Sequence, residues 1–295
     1  MNTCQPPRST IKTPQLAVPA LACDCHAHIL GPPDVYAYVA NRSYTPPDAL
    51  PATYAALLDT LGFERGIVVQ ASCYGEDNRR TIDAVRELGL DRARGVVMVG
   101  ATIDEGELQA MHDAGIRATR FITTAKGGPT LDQLPEVAAK VAPFGWAVEM
   151  YIPTAAWPDV LPVVEKLSVP VVFDHMGGMM ANTPPDDPVF KRIIALLESG
   201  RCWTKLTGYR PSVAGPPYAD VAPLARYIIA HAPDRCVWGS DWPHTNIEGY
   251  MPDDGELLDQ LGTWVDDEAA LKKILVDNPA KLYRFQERLR YASGL

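Results

Sequence analysis

Short apolar runs alternate along the chain with longer stretches in which apolar positions recur every three to four residues. The runs cover 21–29, 66–72, 95–102, 116–122, 147–152, 169–176, 202–208 and 236–242. They are rich in Val and Ile and almost continuously apolar, as expected of parallel strands buried on both faces. The stretches between them predict helices at 52–61, 76–88, 105–114, 131–141, 155–167, 188–198 and 218–231. Three more follow the last run, at 256–261, 267–276 and 279–289. Strand and helix alternating eight times predicts an α/β fold, a closed (β/α)8 TIM barrel in a single domain spanning 21–295, preceded by an unstructured arm at 1–20. An open doubly wound sheet would place a glycine-rich phosphate loop after the first strand, and this sequence has none there. Pro-rich loops at 31–51, 179–188 and 211–217 each follow a strand. In a barrel they gather at the C-terminal face, where active sites are built.

Composition narrows the function. The chain has 295 residues, 47% of them apolar, and can bury a large core without disulfide staples. A net charge of −9 argues against a nucleic-acid binder. No apolar run approaches the ~18 residues of a membrane span. Residues 1–13 are polar and Pro-rich without the apolar core of a signal peptide, so a cytoplasmic location and no membrane partner are expected. The six Cys include no CxxC pair, and four sit in or beside the apolar runs, which predicts buried reduced thiols.

Three strand ends carry ionisable residues. Asp24-Cys25-His26-Ala27-His28 lies in the first run. Residues two apart on a strand share a side, so His26 and His28 are expected to aim together at the barrel mouth. Phe173-Asp174-His175-Met176-Gly177 ends the sixth run, and Gly239-Ser240-Asp241-Trp242-Pro243-His244 ends the eighth. Any one of these can be a core histidine or a turn-capping Asp. Together they bring three imidazoles and a carboxylate to one mouth, which suits metal ligation or acid–base hydrolysis.

In these motifs the chain resembles the amidohydrolase superfamily. Val69-Gln70-Ala71-Ser72-Cys73, Asp174-His175-Met176-Gly177, Ala214-Gly215-Pro216-Pro217 and the Asp241 segment are similar to its lactonase branch, typified by 2-pyrone-4,6-dicarboxylate lactonase. Asp277-Asn278-Pro279-Ala280-Lys281-Leu282-Tyr283 is similar to the family's C-terminal signature. The resemblance implies a catalytic set of His26, His28, His175 and Asp241, no required cofactor, and hydrolysis of a small acidic lactone in aromatic-compound catabolism. It implies substrate contacts from Tyr44, Ser72, Arg120, Tyr151 and Arg210, with Lys126 where the branch has a second Arg and Tyr74 where it has a His. These departures bring a sulfomuconolactone or a sugar-acid lactone into view as alternative substrates. The branch also holds a lactone isomerase, whose pattern has Asn at the position of Asp241, so Asp241 favours hydrolysis. Binuclear members carry a Lys or Glu on strand four and a His on strand five. The fourth run here offers Arg117 and Arg120, and the fifth offers Glu149 and Tyr151.

Lactone hydrolysis needs a base for water and donors for the developing oxyanion. Asp241 is the expected base, its ionisation setting the low-pH limb of the rate, and the three His are the expected donors to the carbonyl. His244 is expected to orient Asp241 or touch the substrate. A mononuclear Zn²⁺ or Mn²⁺ on His26, His28, His175 and Asp241 is the metal-dependent alternative, which would suit a decarboxylase of the same superfamily. The sequence carries no sign of oligomeric state.

Overall fold

The computed structural model describes residues 2–265 and 267–285. Eight parallel strands form one sheet in chain order: β1 Cys23–Ala27, β2 Arg65–Val69, β3 Ala93–Val97, β4 Ile116–Ile122, β5 Ala147–Tyr151, β6 Val171–Phe173, β7 Cys202–Leu206 and β8 Cys236–Trp238. The connecting helices are α1 Pro51–Leu61, α2 Arg79–Leu88, α3 Glu105–Asp113, α4 Leu134–Val141, α5 Trp157–Val164, α6 Pro188–Glu198 and α7 Ala222–His231. After β8 come α8 Asp254–Trp264, α9 Glu268–Lys272 and α10 Asn278–Tyr283. This is the expected (β/α)8 barrel. Residues 286–289 of the last predicted helix lie outside the described residues.

The barrel closes just beyond β8. Asp241 N–H donates to the His26 carbonyl at 2.8 Å, and His28 N–H donates to the Trp242 carbonyl at 2.7 Å. The buried carboxylate of Asp24 bolts this seam. It accepts from Ser240 N–H at 2.9 Å, from the Ser240 hydroxyl at 2.7 Å and from the Tyr54 hydroxyl of α1 at 3.1 Å. Burial pushes its carboxyl up to about 6 against the pull of these donors. Orphaned buried donors cost about 1–3 kcal/mol each. Asp24→Ala is therefore expected to destabilise the fold by about 4 kcal/mol, read from the urea midpoint at constant slope; a loss below about 1 kcal/mol would contradict the seam.

The interior and the helix-facing surfaces form separate apolar clusters. Inside the barrel are Cys23, Cys25, Ile67, Val69, Val96, Ala118, Ala147, Val172, Trp203 and Val237, joined by Leu282, Tyr283 and Phe285. The Phe285 ring lies beside the Arg65 and Arg94 guanidiniums at 4.7 and 4.5 Å, which places this plug at the strand-start end. All six Cys are free and buried.

Two expectations need correction. Most predicted strands run past the observed ends, and after β6 and β8 the chain turns sharply. His175, Met176 and Asp241 have φ of 51°, 57° and 65°, a left-handed conformation that L side chains adopt at a cost. The arm before β1 has little regular structure but is anchored. Asn2–Thr3 pairs in parallel with Tyr44–Thr45, and Cys4 N–H donates to the Thr45 carbonyl at 2.9 Å. Further on, Lys12 N–H reaches Asp253 at 3.2 Å and Gln15 N–H reaches Asp259 at 2.7 Å. Carboxylates at the start and in the middle of α8 thus take backbone donors that the arm would otherwise give to water.

Candidate active site

His26 and His28 both reach the barrel interior, as the spacing predicts, but by a route the spacing does not show. The register of β1 against β2 shifts between Asp24 and Ala27. This bulge leaves Asp24 on the helix side, against Tyr54, and turns His26 inward beside His175, ring centroids 4.8 Å apart. Bulges next to active sites re-aim side chains in this way. His28 stands at 5.0 Å from His26, nearly perpendicular to it.

The centre of the mouth is one oxygen of Asp241. Its Oδ1 lies 3.6 Å from His26 Nε2, 3.6 Å from His28 Nε2 and 4.0 Å from His175 Nε2. Its Oδ2 accepts from the Tyr209 hydroxyl at 2.6 Å and from Arg210 Nε at 2.7 Å. Burial pushes the Asp241 carboxyl up, but its charged surroundings, the Arg210 guanidinium foremost, outweigh burial and hold it well below the usual carboxylate range. Burial, aided by nearby cations, holds His26 neutral far below the ordinary imidazole range. Burial also brings His175 down to about 4, against the pull of Asp241 and Asp174. His28 Nδ1 lies 2.8 Å from the Val69 carbonyl, which only accepts, so Nδ1 carries the proton and a neutral His28 turns a bare Nε2 toward Asp241. His175 Nδ1 shares a hydrogen bond with the Thr207 hydroxyl at 2.9 Å.

Above this centre lies a cavity of about 270 Å³. His28, His175 and Asp241 floor it, with Tyr44, Ser72, Arg120, Tyr151 and Arg210 around them. Five of the seven expected substrate contacts are thus brought together. Arg120 gives Nε to Asp174 at 3.2 Å and Nη1 to the Gln70 carbonyl at 3.3 Å. Arg210 gives Nε to Asp241 and Nη2 to the Thr245 carbonyl at 2.9 Å. A guanidinium has five N–H donors, so each keeps donors for a ligand. A larger cavity, about 360 Å³, opens at the other end of the barrel beside Trp203, Arg235 and Lys281, and holds none of the catalytic set.

The other two residues fall outside the cavity. Lys126 is exposed, its backbone N–H tied to Ser43, and Thr124 and Ala125 line the wall instead. Lys126→Ala is therefore expected to change KM less than about fivefold, since exposed charge contacts are worth under about 1 kcal/mol. A tenfold rise in KM would place the ammonium on the substrate. His244 is buried, with φ of 62° at the turn after Pro243, and its Nε2 lies 3.1 Å from Asp254 of α8. Its ring packs edge-on against Tyr209 at 5.0 Å, so it backs the residue that holds Asp241 and does not face the cavity. Tyr74, at the position of the branch's His, is buried, and its hydroxyl oxygen accepts from Gly31 N–H at 2.7 Å.

A second group of charges lies beneath the floor, and the sequence reading did not single it out. Lys205 of β7 is fully buried and pairs with Glu149 Oε2 at 2.5 Å and Asp174 Oδ1 at 3.2 Å. Its Nζ is also 3.2 Å from His26 Nδ1. Tyr283 of α10 donates to Glu149 Oε1 at 2.7 Å. Burial disfavours the ammonium, but Asp174 and Glu149 outweigh it and raise the Lys205 pKa. The available signal was a lysine inside an otherwise apolar strand, Cys202-Trp203-Thr204-Lys205-Leu206, because a lysine is almost never fully buried unless paired. Tyr209 was missed too; it lies just beyond β7, and nothing in its local sequence marks it.

His26, His175 and Asp241 offer ligand atoms within 4.8 Å of one another, close enough to surround one cation. The chemistry of the set opposes a divalent ion. Asp241 is already neutralised by Arg210, and the ring of His26 stands against an ammonium. A ligand imidazole must present a lone pair, usually with its other nitrogen donating to a carboxylate or carbonyl. His28 meets that condition and His26 does not.

The amidohydrolase family profile matches residues 23–285. A 2-pyrone-4,6-dicarboxylate hydrolase of Comamonas testosteroni is 39% identical over 282 residues, covering 92% of each chain. A 4-sulfomuconolactone hydrolase of Rhizobium radiobacter is 36% identical over 289 residues, covering 95% of each. An apo crystal structure from Agrobacterium tumefaciens matches at TM-score 0.85 with 33% identity, over 92% of this chain and 99% of that one. The chain therefore belongs to the amidohydrolase family and is a hydrolase acting on ester bonds.

Proposed function

We propose that this enzyme hydrolyses a small acidic lactone without a bound metal, with Asp241 as general base and 2-pyrone-4,6-dicarboxylate as the first candidate substrate. The observation that carries the reading is one carboxylate oxygen facing three imidazole nitrogens, under a cavity walled by two guanidiniums. The named substrates of the relatives, a pyrone dicarboxylate and a sulfomuconolactone, are lactones with anionic groups, which Arg120 and Arg210 suit. On the pyrone dicarboxylate the enzyme would serve aromatic-compound breakdown.

In the proposed reaction a water donates one hydrogen bond to Asp241 Oδ1 and another to the bare Nε2 of His28. Its oxygen attacks the lactone carbonyl carbon while Asp241 takes the proton. This changes the role expected of His28, since a neutral ring with Nδ1 donating to Val69 has no proton left for the carbonyl oxygen. His175 on the cavity floor, with His26 buried directly beside it, is left to stabilise the oxyanion. When the tetrahedral intermediate collapses, the ring C–O bond breaks and the departing oxygen recovers the proton from Asp241. Tyr209 and Arg210 hold the carboxylate in place throughout.

Reaction in H₂¹⁸O separates hydrolysis from isomerisation. Hydrolysis is expected to leave one ¹⁸O in the new carboxylate of the ring-opened product, read by mass spectrometry. An isomerised lactone free of label would overturn the reading, and release of CO₂ would favour a decarboxylase.

A further inference from the structure

We propose that Lys205 is a positioning residue that fixes His26 as its Nε2–H tautomer, making that ring a hydrogen-bond donor to the reaction centre and unsuited to hold a metal there. A lysine ammonium has three N–H groups and no lone pair. At 3.2 Å from Lys205 Nζ, His26 Nδ1 must therefore be the acceptor. A neutral imidazole has one N–H, so it sits on Nε2. That atom is buried, has no hydrogen-bond partner among the described residues, and lies 3.6 Å from Asp241 Oδ1. A substrate oxygen arriving above the pair would supply the missing acceptor.

The surroundings explain why a lysine performs this task. The ligand atoms of His26, Glu149 and Asp174 lie within 4.8 Å of one another, a donor set fit for a cation, and the ammonium occupies it. Asp174 Oδ1 is 3.7 Å from His26 Nδ1. Without the ammonium, Asp174 would be the natural acceptor for an Nδ1–H, and the lone pair would move to Nε2. His28 shows the opposite arrangement, with Nδ1 donating to Val69. Two histidines two residues apart thus present opposite faces of the same chemistry, an acceptor for water and a donor for the carbonyl. The oxyanion role of His26 rests on the lactonase reading; the tautomer does not.

Long-range ¹⁵N–¹H NMR on the resting, ¹⁵N-histidine-labelled enzyme tests the tautomer directly, with the ring assigned by loss of its signals in His26→Gln. The expected spectrum has His26 protonated at Nε2 and His28 at Nδ1. A proton on Nδ1 of His26 would overturn the proposal whatever the substrate is. In Lys205→Met, His26 is expected to switch to Nδ1–H, kcat to fall about 100-fold, as for loss of one oxyanion donor, and KM to stay within about threefold. The same variant is expected to bind Co²⁺ at least about tenfold more tightly than wild type, followed by its visible absorption. An Nε2–H tautomer retained in Lys205→Met would equally overturn the role of the lysine. If that variant fails to fold, the wild-type spectrum still decides.

Discussion

Asp241→Asn lowers kcat by about 10²- to 10⁴-fold, the range for loss of a general base, and leaves the barrel folded. The geometry explains both halves of this expectation. The amide oxygen of Asn can take the place of Oδ2, accepting from Tyr209 and Arg210, while its NH₂ faces the bare Nε2 of His28. Shape and the bonds to Tyr209 and Arg210 are thus kept, while the ability to take a proton from water is lost and the NH₂ also faces the His26 N–H. The substitution also removes a negative charge from the floor of a cavity meant for an anion. KM is expected to stay level or fall, so the defect should appear in kcat. Steady-state kinetics with a urea unfolding curve separate these effects, and retention of more than about a tenth of wild-type kcat would remove Asp241 from its role.

Arg210→Gln acts on the same carboxylate from the other side. The guanidinium is a main reason the Asp241 carboxyl lies well below the usual range despite its burial. With it in place, Asp241 is expected to stay ionised throughout the working range and kcat/KM to be flat from about pH 5 to pH 9. This revises the sequence expectation that ionisation of Asp241 sets an accessible low-pH limb. Removing a positive charge beside a carboxylate favours its protonated form, so its pKa rises. The acid limb of kcat/KM should then move up by at least about one unit, into the measurable range. Loss of a charge-assisted contact worth about 1.5–3 kcal/mol should also lower kcat/KM at pH 7 by about 10- to 100-fold. An acid limb that stays in place would mean Arg210 does not set the ionisation of the base.

The barrel was legible because parallel strands buried on both faces must be apolar almost throughout, and eight such runs leave few alternatives. Strand ends were less legible. His175, Met176 and Asp241 continue the local apolar or functional pattern, but their left-handed backbone ends the strand. The arm read as unstructured because its partners, Tyr44–Thr45, Asp253 and Asp259, lie far away in sequence. Of the catalytic set, the HxH motif predicted two inward rings, yet only the bulge at Cys25–His26 shows why Asp24 faces the other way. Lys126 and His244 illustrate the limit of transferring positions. Each lies near the mouth in sequence, but one points to solvent and the other toward α8. Lys205 and Tyr209 act through contacts with residues more than thirty positions away, which local spacing does not reveal.

The central claim is hydrolysis of an acidic lactone by Asp241 and its imidazoles without metal. The direct test is the ultraviolet absorbance of 2-pyrone-4,6-dicarboxylate mixed with chelator-treated enzyme whose metal content has been measured. The account predicts loss of the pyrone band at an undiminished rate, with no gain on adding Zn²⁺ or Mn²⁺. Activity that vanishes with the chelator and returns with either ion would contradict it.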